Sequence, residues 1–128
     1  EASHLTSDER KRFAEEVVRI AAGRVPIVIG VGFSGTRETE ELARHAQQAG
    51  ADAMLVVSPF YWKVGVEALF RHFATVAEAV DIPVVIYNLP MLTGIDLSPS
   101  LVARIAAECP NAVGLKDTVT EFPGYYAA

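Results

Sequence analysis

The chain has 128 residues, 51% apolar and 21% charged, which suffices for one packed domain and excludes a disordered chain. With 11 basic residues against 16 acidic ones the formal net charge is −5, and no basic cluster offers a surface for nucleic acid or an anionic membrane. The longest apolar runs, such as Ala53 to Val57 and Pro83 to Tyr87, are strand-sized and far too short to span a bilayer.

Helix and strand patterns alternate along the chain. Thr6-Ser7-Asp8-Glu9 reads as a capping box, with Thr6 as N-cap and Glu9 reaching back. The helix that follows carries an apolar stripe at Phe13, Val17, Ile20 and Ala21 and stops at Gly23. Val25-Pro26-Ile27-Val28-Ile29 is a short β-branched strand with proline near its start. Thr36 can cap a second helix carrying Leu42, Ala43, Ala46 and Ala49, closed by Gly50. Ala53–Val57 is the second strand. A third helix from about Val66 presents Leu69, Phe70, Phe73, Val76, Ala77 and Val80 on one face. Pro83–Tyr87 is the third strand. Ser98 caps a fourth helix with Pro99 at its first position and Leu101, Val102, Ile105 and Ala106 inward. Ala112–Leu115 is the fourth strand, ending at Lys116.

These strands are near-continuous apolar runs, the pattern of parallel strands buried on both faces. Their centres recur at about 27 to 30 residues, which favours consecutive units of an α/β barrel over a doubly wound sheet. Strand order decides between the two, because only the barrel keeps it sequential.

Gly30-Val31-Gly32-Phe33-Ser34-Gly35 is a literal G-x-G-x-x-G between a strand and a helix. A dinucleotide site also needs an acid at the end of the next strand, and here that strand ends in Val57-Ser58-Pro59. Asp52 lies at the strand's opposite end. These glycines therefore read as a tight strand-to-helix turn. Cys109, the single cysteine, excludes an internal disulfide, fits a reducing cytoplasm and reads as a small buried hydrophobe. The sequence has no Cys/His cluster of zinc spacing. His4, His45 and His72 fall away from strand ends and read as surface or packing residues.

Lys116 closes an apolar strand and, on strict alternation, shares a face with Ala112 and Gly114. With such small neighbours it could be desolvated, which favours the free, nucleophilic amine. The alternative is a lysine that reaches outward to pair with Asp117. Tyr87 ends the preceding strand, and in a barrel consecutive strand ends are neighbours at the rim where catalytic groups gather. A phenol there can pass protons. Thr93-Gly94 follows in the next loop and could offer a hydroxyl and close backbone approach. Ser58-Pro59-Phe60-Tyr61-Trp62-Lys63 is a third rim loop, with dense aromatics that suit a pocket wall or a subunit contact.

Tyr87-Asn88-Leu89-Pro90, Thr93-Gly94 and Gly114-Leu115-Lys116-Asp117 together resemble the dihydrodipicolinate synthase / N-acetylneuraminate lyase family. The resemblance runs from Glu1 to about Phe122. It implies a (β/α)8 barrel, usually assembled as a homotetramer of dimers, that performs class I aldolase chemistry on pyruvate or 2-keto acids without metal or organic cofactor. Lys116 would be the Schiff-base lysine and Tyr87 the proton shuttle. Thr93 and Gly94 would line the substrate pocket. Tyr61 matches a tyrosine that reaches toward a neighbouring subunit's site. Ala112 departs from a larger aliphatic residue. Leu92 stands where the lysine-biosynthesis synthases usually carry an arginine that pairs with the second substrate's carboxylate. Tyr61-Trp62-Lys63-Val64 and Lys116-Asp117-Thr118-Val119 look more like 2-keto-3-deoxygluconate-type aldolases, with synthases and sugar-acid dehydratases of the same family as alternatives.

By the same resemblance, residues 1–128 form a single segment, the third to sixth strands of eight, lacking the first two and last two. Glu1 resembles the last residue of a Gly-Thr-Thr-Gly-Glu-type loop that grips the keto-acid carboxylate, and Pro123–Ala128 departs from the family's continuation. Four strands would leave two unpaired edges. The expectation is that this segment alone is a barrel fragment without competent catalysis, or a part of a larger polypeptide or assembly.

Overall fold

A computed structural model describes residues 2–119; Glu1 and the departure expected at 123–128 lie outside the described residues. After a short 3₁₀ turn, Ala2–His4, the order is α1 (Ser7–Ala21), β1 (Val28–Gly30), α2 (Thr36–Ala49), β2 (Ala53–Val57), α3 (Val66–Glu78), β3 (Val84–Asn88), α4 (Pro90–Thr93), α5 (Pro99–Glu108) and β4 (Ala112–Asp117). The four strands form one parallel sheet in the order β1-β2-β3-β4. This sequential order is that of consecutive barrel units, and the doubly wound alternative falls with it.

The capping box forms in full: Thr6 N–H donates to Glu9 at 2.9 Å, and Glu9 N–H donates to Thr6 Oγ1 at 3.3 Å. The stripe proposed for α1 is corrected. Ala21 is buried and Val17 half-buried as expected, but Phe13 and Ile20 are exposed, and Arg10 and Ala14 are buried in their place. The small residues let α1 lie close, and the guanidinium of Arg10 finds carbonyl partners at the end of β1. Gly35, not Thr36, is the N-cap of α2; Thr36 Oγ1 instead meets His72 Nδ1 at 2.9 Å. Gly50 ends α2 with φ at 93°, as its position suggests. On α3 all six residues of the anticipated face are buried, and Ser98 caps α5 with Pro99 following. Ala106 is exposed, because Leu101 and Ile105 already fill the contact of α5 with the sheet.

The core lies between the helices and one face of the sheet. Met54, Val56, Val84 and Ile86 point into it and meet Leu42, Phe73, Val76, Leu101 and Ile105. Each such side chain contributes about 1.5–3 kcal/mol on burial. The expectation of strands buried on both faces fails. Leu55, Val57, Val85 and Tyr87 alternate with the core residues and are only partly buried, and Val28 is exposed, because the helices cover one face alone.

Side-chain hydrogen bonds fasten the end of the sheet opposite the rim. Asp52 accepts from Ile27 N–H at 2.7 Å, which gives that acid a structural task. Gln47 Oε1 accepts from Asp81 N–H at 2.7 Å, and Asn111 donates to the Ala77 and Val80 carbonyls at 2.9 and 3.0 Å.

Candidate active site

At the carboxyl ends of the strands, the sheet register sets Val57 beside Tyr87, Tyr87 beside Lys116 and Asn88 beside Asp117. The Lys116 ammonium lies over the Tyr87 ring, 4.0 Å from its centre. This contact follows from the pleat, since paired neighbours on parallel strands project to the same face. A cation over an aromatic face is an attractive arrangement.

The predicted neighbourhood of Lys116 is corrected in one respect. The register slips by one residue between Val84 and Val85, so Ala112 stands beside Val84 and Gly114 beside Val85. Ala112 therefore packs against the helix-side core, and Gly114 alone keeps Lys116's side of the sheet clear. Lys116 is exposed rather than desolvated among the described residues. Nor does it pair with Asp117, whose carboxylate accepts from Asn88 Nδ2 at 3.2 Å and from Val119 N–H at 3.0 Å.

A cleft of about 570 Å³ opens at Tyr87, with Gly32, Leu55, Leu89, Leu92 and Thr93 also among its walls; Lys116 does not line it and meets it through the Tyr87 ring. Thr93 borders the cleft, but its hydroxyl closes its own loop: its one proton is shared between the Leu89 and Ile95 carbonyls (3.0 and 3.1 Å), and its oxygen accepts from Ile95 N–H at 3.2 Å. Gly94 ends α4 with φ at 69°, and its N–H donates to Pro90 O at 2.9 Å. Its place in the chain is thus conformational, since a side chain at that φ is strained. Tyr61 stands outside the cleft, 86% exposed, with φ at 82° and its ring edge-on to Trp62. The structure thus brings Lys116, Tyr87 and Thr93 to one rim and leaves Gly94 and Tyr61 off the cleft wall.

Arg10 is a cleft residue that sequence reasoning missed. It is 7% exposed and donates from one Nη2 to the carbonyls of Gly30 and Gly32, at 2.9 and 3.1 Å. Burial pushes its guanidinium below the usual range, and nearby Glu38 opposes that. The signal was the spacing of Arg10, Ala14 and Ala21, which share a helical face. The Gly30–Gly35 motif proves to be a packing device. Gly32 lies against Val57, and Ser34 Oγ donates to Phe60 O at 2.8 Å, so the motif ties two rim loops together. His72 is buried in α3 as a packing residue, His45 meets Glu15, and Cys109 is buried. Among the described residues no three His, Cys, Asp or Glu side chains gather to hold a metal, and no helix is long and apolar enough to cross a membrane.

The same fold occurs in known proteins. YagE of Escherichia coli K12, described as a prophage protein of the dihydrodipicolinic acid synthase family and solved with pyruvate, superposes with a TM-score of 0.91 at 47% identity. That match covers 93% of this chain and 40% of YagE. YagE also carries the name of a candidate 2-dehydro-3-deoxy-D-gluconate aldolase. The 4-hydroxy-tetrahydrodipicolinate synthase of Brucella abortus is 46% identical over 91% of this chain and 40% of its own length. The dihydrodipicolinate synthase of Acinetobacter baumannii, also solved with pyruvate, gives a TM-score of 0.88 at 44% identity, over 93% of this chain and 40% of that one. The chain thus spans about 40% of the length of the relatives it matches. The dihydrodipicolinate synthetase family matches over residues 1–126, and with its sequential parallel strands and its Tyr87–Lys116 rim pair, the chain belongs to that family.

Proposed function

We propose that the whole protein is a class I aldolase, or lyase, that cleaves a 2-keto-3-deoxy sugar acid to pyruvate and an aldehyde. The observation that carries this reading is the register pair Tyr87–Lys116, with the lysine nitrogen 4.0 Å from the ring centre at the rim of the sheet. An amine attacks the C2 ketone, water leaves, and the iminium becomes the electron sink. Tyr87 takes the proton of the C4 hydroxyl as the C3–C4 bond breaks. The bonding pair moves into the enamine of pyruvate, the aldehyde departs, and protonation at C3 followed by hydrolysis frees the lysine. This chemistry calls for no metal or organic cofactor.

Thr93 would act through the shape it gives the cleft wall, since its hydroxyl already serves the loop. Gly94 would act through the turn it permits, and Tyr61 through a neighbouring subunit of a homo-oligomer. In this reading β1 to β4 are the third to sixth strands of a closed barrel. The remaining units would cover the half-exposed sheet face and shield Lys116 from water. The place of work would be the cytoplasm.

A second reading, a 4-hydroxy-tetrahydrodipicolinate synthase, rests on the 46% identity to the Brucella enzyme. Leu92 in the cleft wall favours the aldolase, because an apolar side chain supplies no bidentate contact to a second carboxylate. Borohydride reduction of the whole protein in the presence of pyruvate tests the shared chemistry. A covalent adduct on Lys116 is the expected result. Active protein with no adduct there would overturn it. Product analysis then separates cleavage from synthesis and dehydration.

A further inference from the structure

Asn88 is fully buried immediately beyond Tyr87, and every polar group of its side chain is in use. Its Oδ1 accepts from Leu97 N–H at 3.1 Å. Its Nδ2 donates to Asp96 Oδ1 at 2.8 Å and to Asp117 Oδ1 at 3.2 Å. Its backbone carbonyl accepts from Thr118 N–H at 3.2 Å and from Thr118 Oγ1 at 2.9 Å. One residue thus joins the end of β3, the loop leading to α5 and the end of β4. The partners also fix the amide's orientation, since two carboxylates require the NH₂ and a peptide N–H requires the oxygen.

The register turns this junction into more than a core hydrogen bond. Asn88 pairs with Asp117 one step past the Tyr87–Lys116 pair. β4 has β3 as its one strand neighbour among the described residues, and Val113 and Lys116 on it are exposed. Packing alone therefore holds the end of β4 weakly. The clamp beyond Lys116 fixes where its backbone lies relative to Tyr87. We infer that Asn88, through Asp117, is a positioning residue that sets the Lys116 amine against Tyr87, so that the two act as a unit. This rests on the aldolase reading only for its catalytic consequence; the geometric claim stands on the hydrogen bonds alone.

The inference separates the two ties of the amide. Asp117→Ala cuts the side-chain tie to β4 and leaves the amide's bonds to Leu97 and Asp96 and the carbonyl's bonds from Thr118. Asp96→Ala cuts the loop tie and leaves that to β4. Asn88→Asp brings three carboxylates together, and the double variant Asn88→Asp/Asp117→Asn restores one donor to the cross-strand contact. The first readout needs no chemistry. In whole protein labelled on the lysine ε-carbons, the protons of the Lys116 ε-methylene, which is one bond from the nitrogen that lies 4.0 Å from the Tyr87 ring centre, should resonate upfield, an assignment checked by Lys116→Arg. The expected result is loss of that shift in Asp117→Ala, retention in Asp96→Ala, and loss in Asn88→Asp with recovery in the double variant. The second readout is turnover, where Asp117→Ala should lower kcat about tenfold or more with KM changed much less, the signature of lost orientation. If Asn88→Asp fails to fold, Asp117→Ala still decides, because Asp117 is only half-buried. Retention of both the upfield shift and kcat in Asp117→Ala, whatever the change in melting temperature, would overturn the inference. Wild-type protein that shows the upfield shift but traps no pyruvate on Lys116 would sink the aldolase reading, and the nuclear resonance arm would still decide the role of Asn88.

Discussion

A Cβ placed on Gly32 would stand 2.4 Å from Val57 Cγ1 and 2.8 Å from the Val57 backbone nitrogen. Backbone cannot swing aside as a long side chain can, so the turn after β1 approaches the end of β2 at this point only because residue 32 has no side chain. Gly32→Ala should destabilise the chain by about 1–3 kcal/mol, the usual range for overpacking. Gly30→Ala, where the added carbon meets nothing within 4 Å, should stay within about 0.5 kcal/mol of the parent. Urea midpoints of the two variants compare them directly, and equal losses would refute the close-approach argument.

Arg10→Ala should cost about 2–4 kcal/mol, because it deprives the Gly30 and Gly32 carbonyls of a charged donor and opens a hole beneath the rim. Arg10→Lys should recover only part of this, since an ammonium on a differently shaped stem does not fill the space of the buried guanidinium or hold one nitrogen against both carbonyls. Thermal unfolding of the three proteins gives the ranking. A lysine variant as stable as the parent would show that charge alone suffices.

Burial pushes the His72 imidazole down to about 4, well below its ordinary 6.5. Below pH 6.5 the unfolded chain takes up a proton at this residue and the folded chain does not. Stability should therefore fall as the pH drops from about 6.5 toward 4, by about 2 kcal/mol between pH 7 and pH 5. In His72→Gln this component should vanish and the urea midpoint should vary less across the interval. Parallel curves for the two proteins would remove His72 as the source.

Lys116 is exposed, so Lys116→Ala should change stability by less than about 1 kcal/mol, the loss of one cation–aromatic contact. Under the proposed function it should abolish pyruvate trapping. Tyr87→Phe retains the ring beneath the ammonium and removes the proton-passing hydroxyl. It should therefore preserve trapping more than cleavage. Mass analysis after borohydride treatment, beside a turnover assay, separates the two variants.

The order of elements was legible because periodicity and caps agree: Thr6 with Glu9, Gly50 at a helix end, Ser98 before Pro99. The face of α3 was legible because Leu69, Phe70, Phe73 and Val76 are large, apolar and at helical spacing. The face of α1 was not. Ala21 was placed correctly. Phe13 and Ile20 outweigh Ala14 in hydrophobicity, yet the contact needs small side chains and admits a buried arginine. The neighbourhood of Lys116 was half legible. Alternation placed Gly114 correctly and Ala112 wrongly, because a one-residue slip in strand pairing leaves no mark in apolar pattern. The hydroxyl of Thr93 was read as available when it serves its own loop, since local hydrogen bonds of a threonine depend on turn geometry rather than on residue type.

The sequential strand order also bears on how the chain reaches its structure. Among the described residues every strand pairs only with the strand before or after it, so each ladder closes a loop of the helical connection between neighbouring strands, and none requires a distant part of this segment to arrive first. Docking can begin at any neighbouring pair and spread in either direction. Since β2·β3 and β3·β4 have longer ladders than β1·β2, the middle and last strands are the natural starting place. Protection of amide hydrogens from exchange should then be strongest on β3, which has neighbours on both sides, and weakest on the three-residue strand β1.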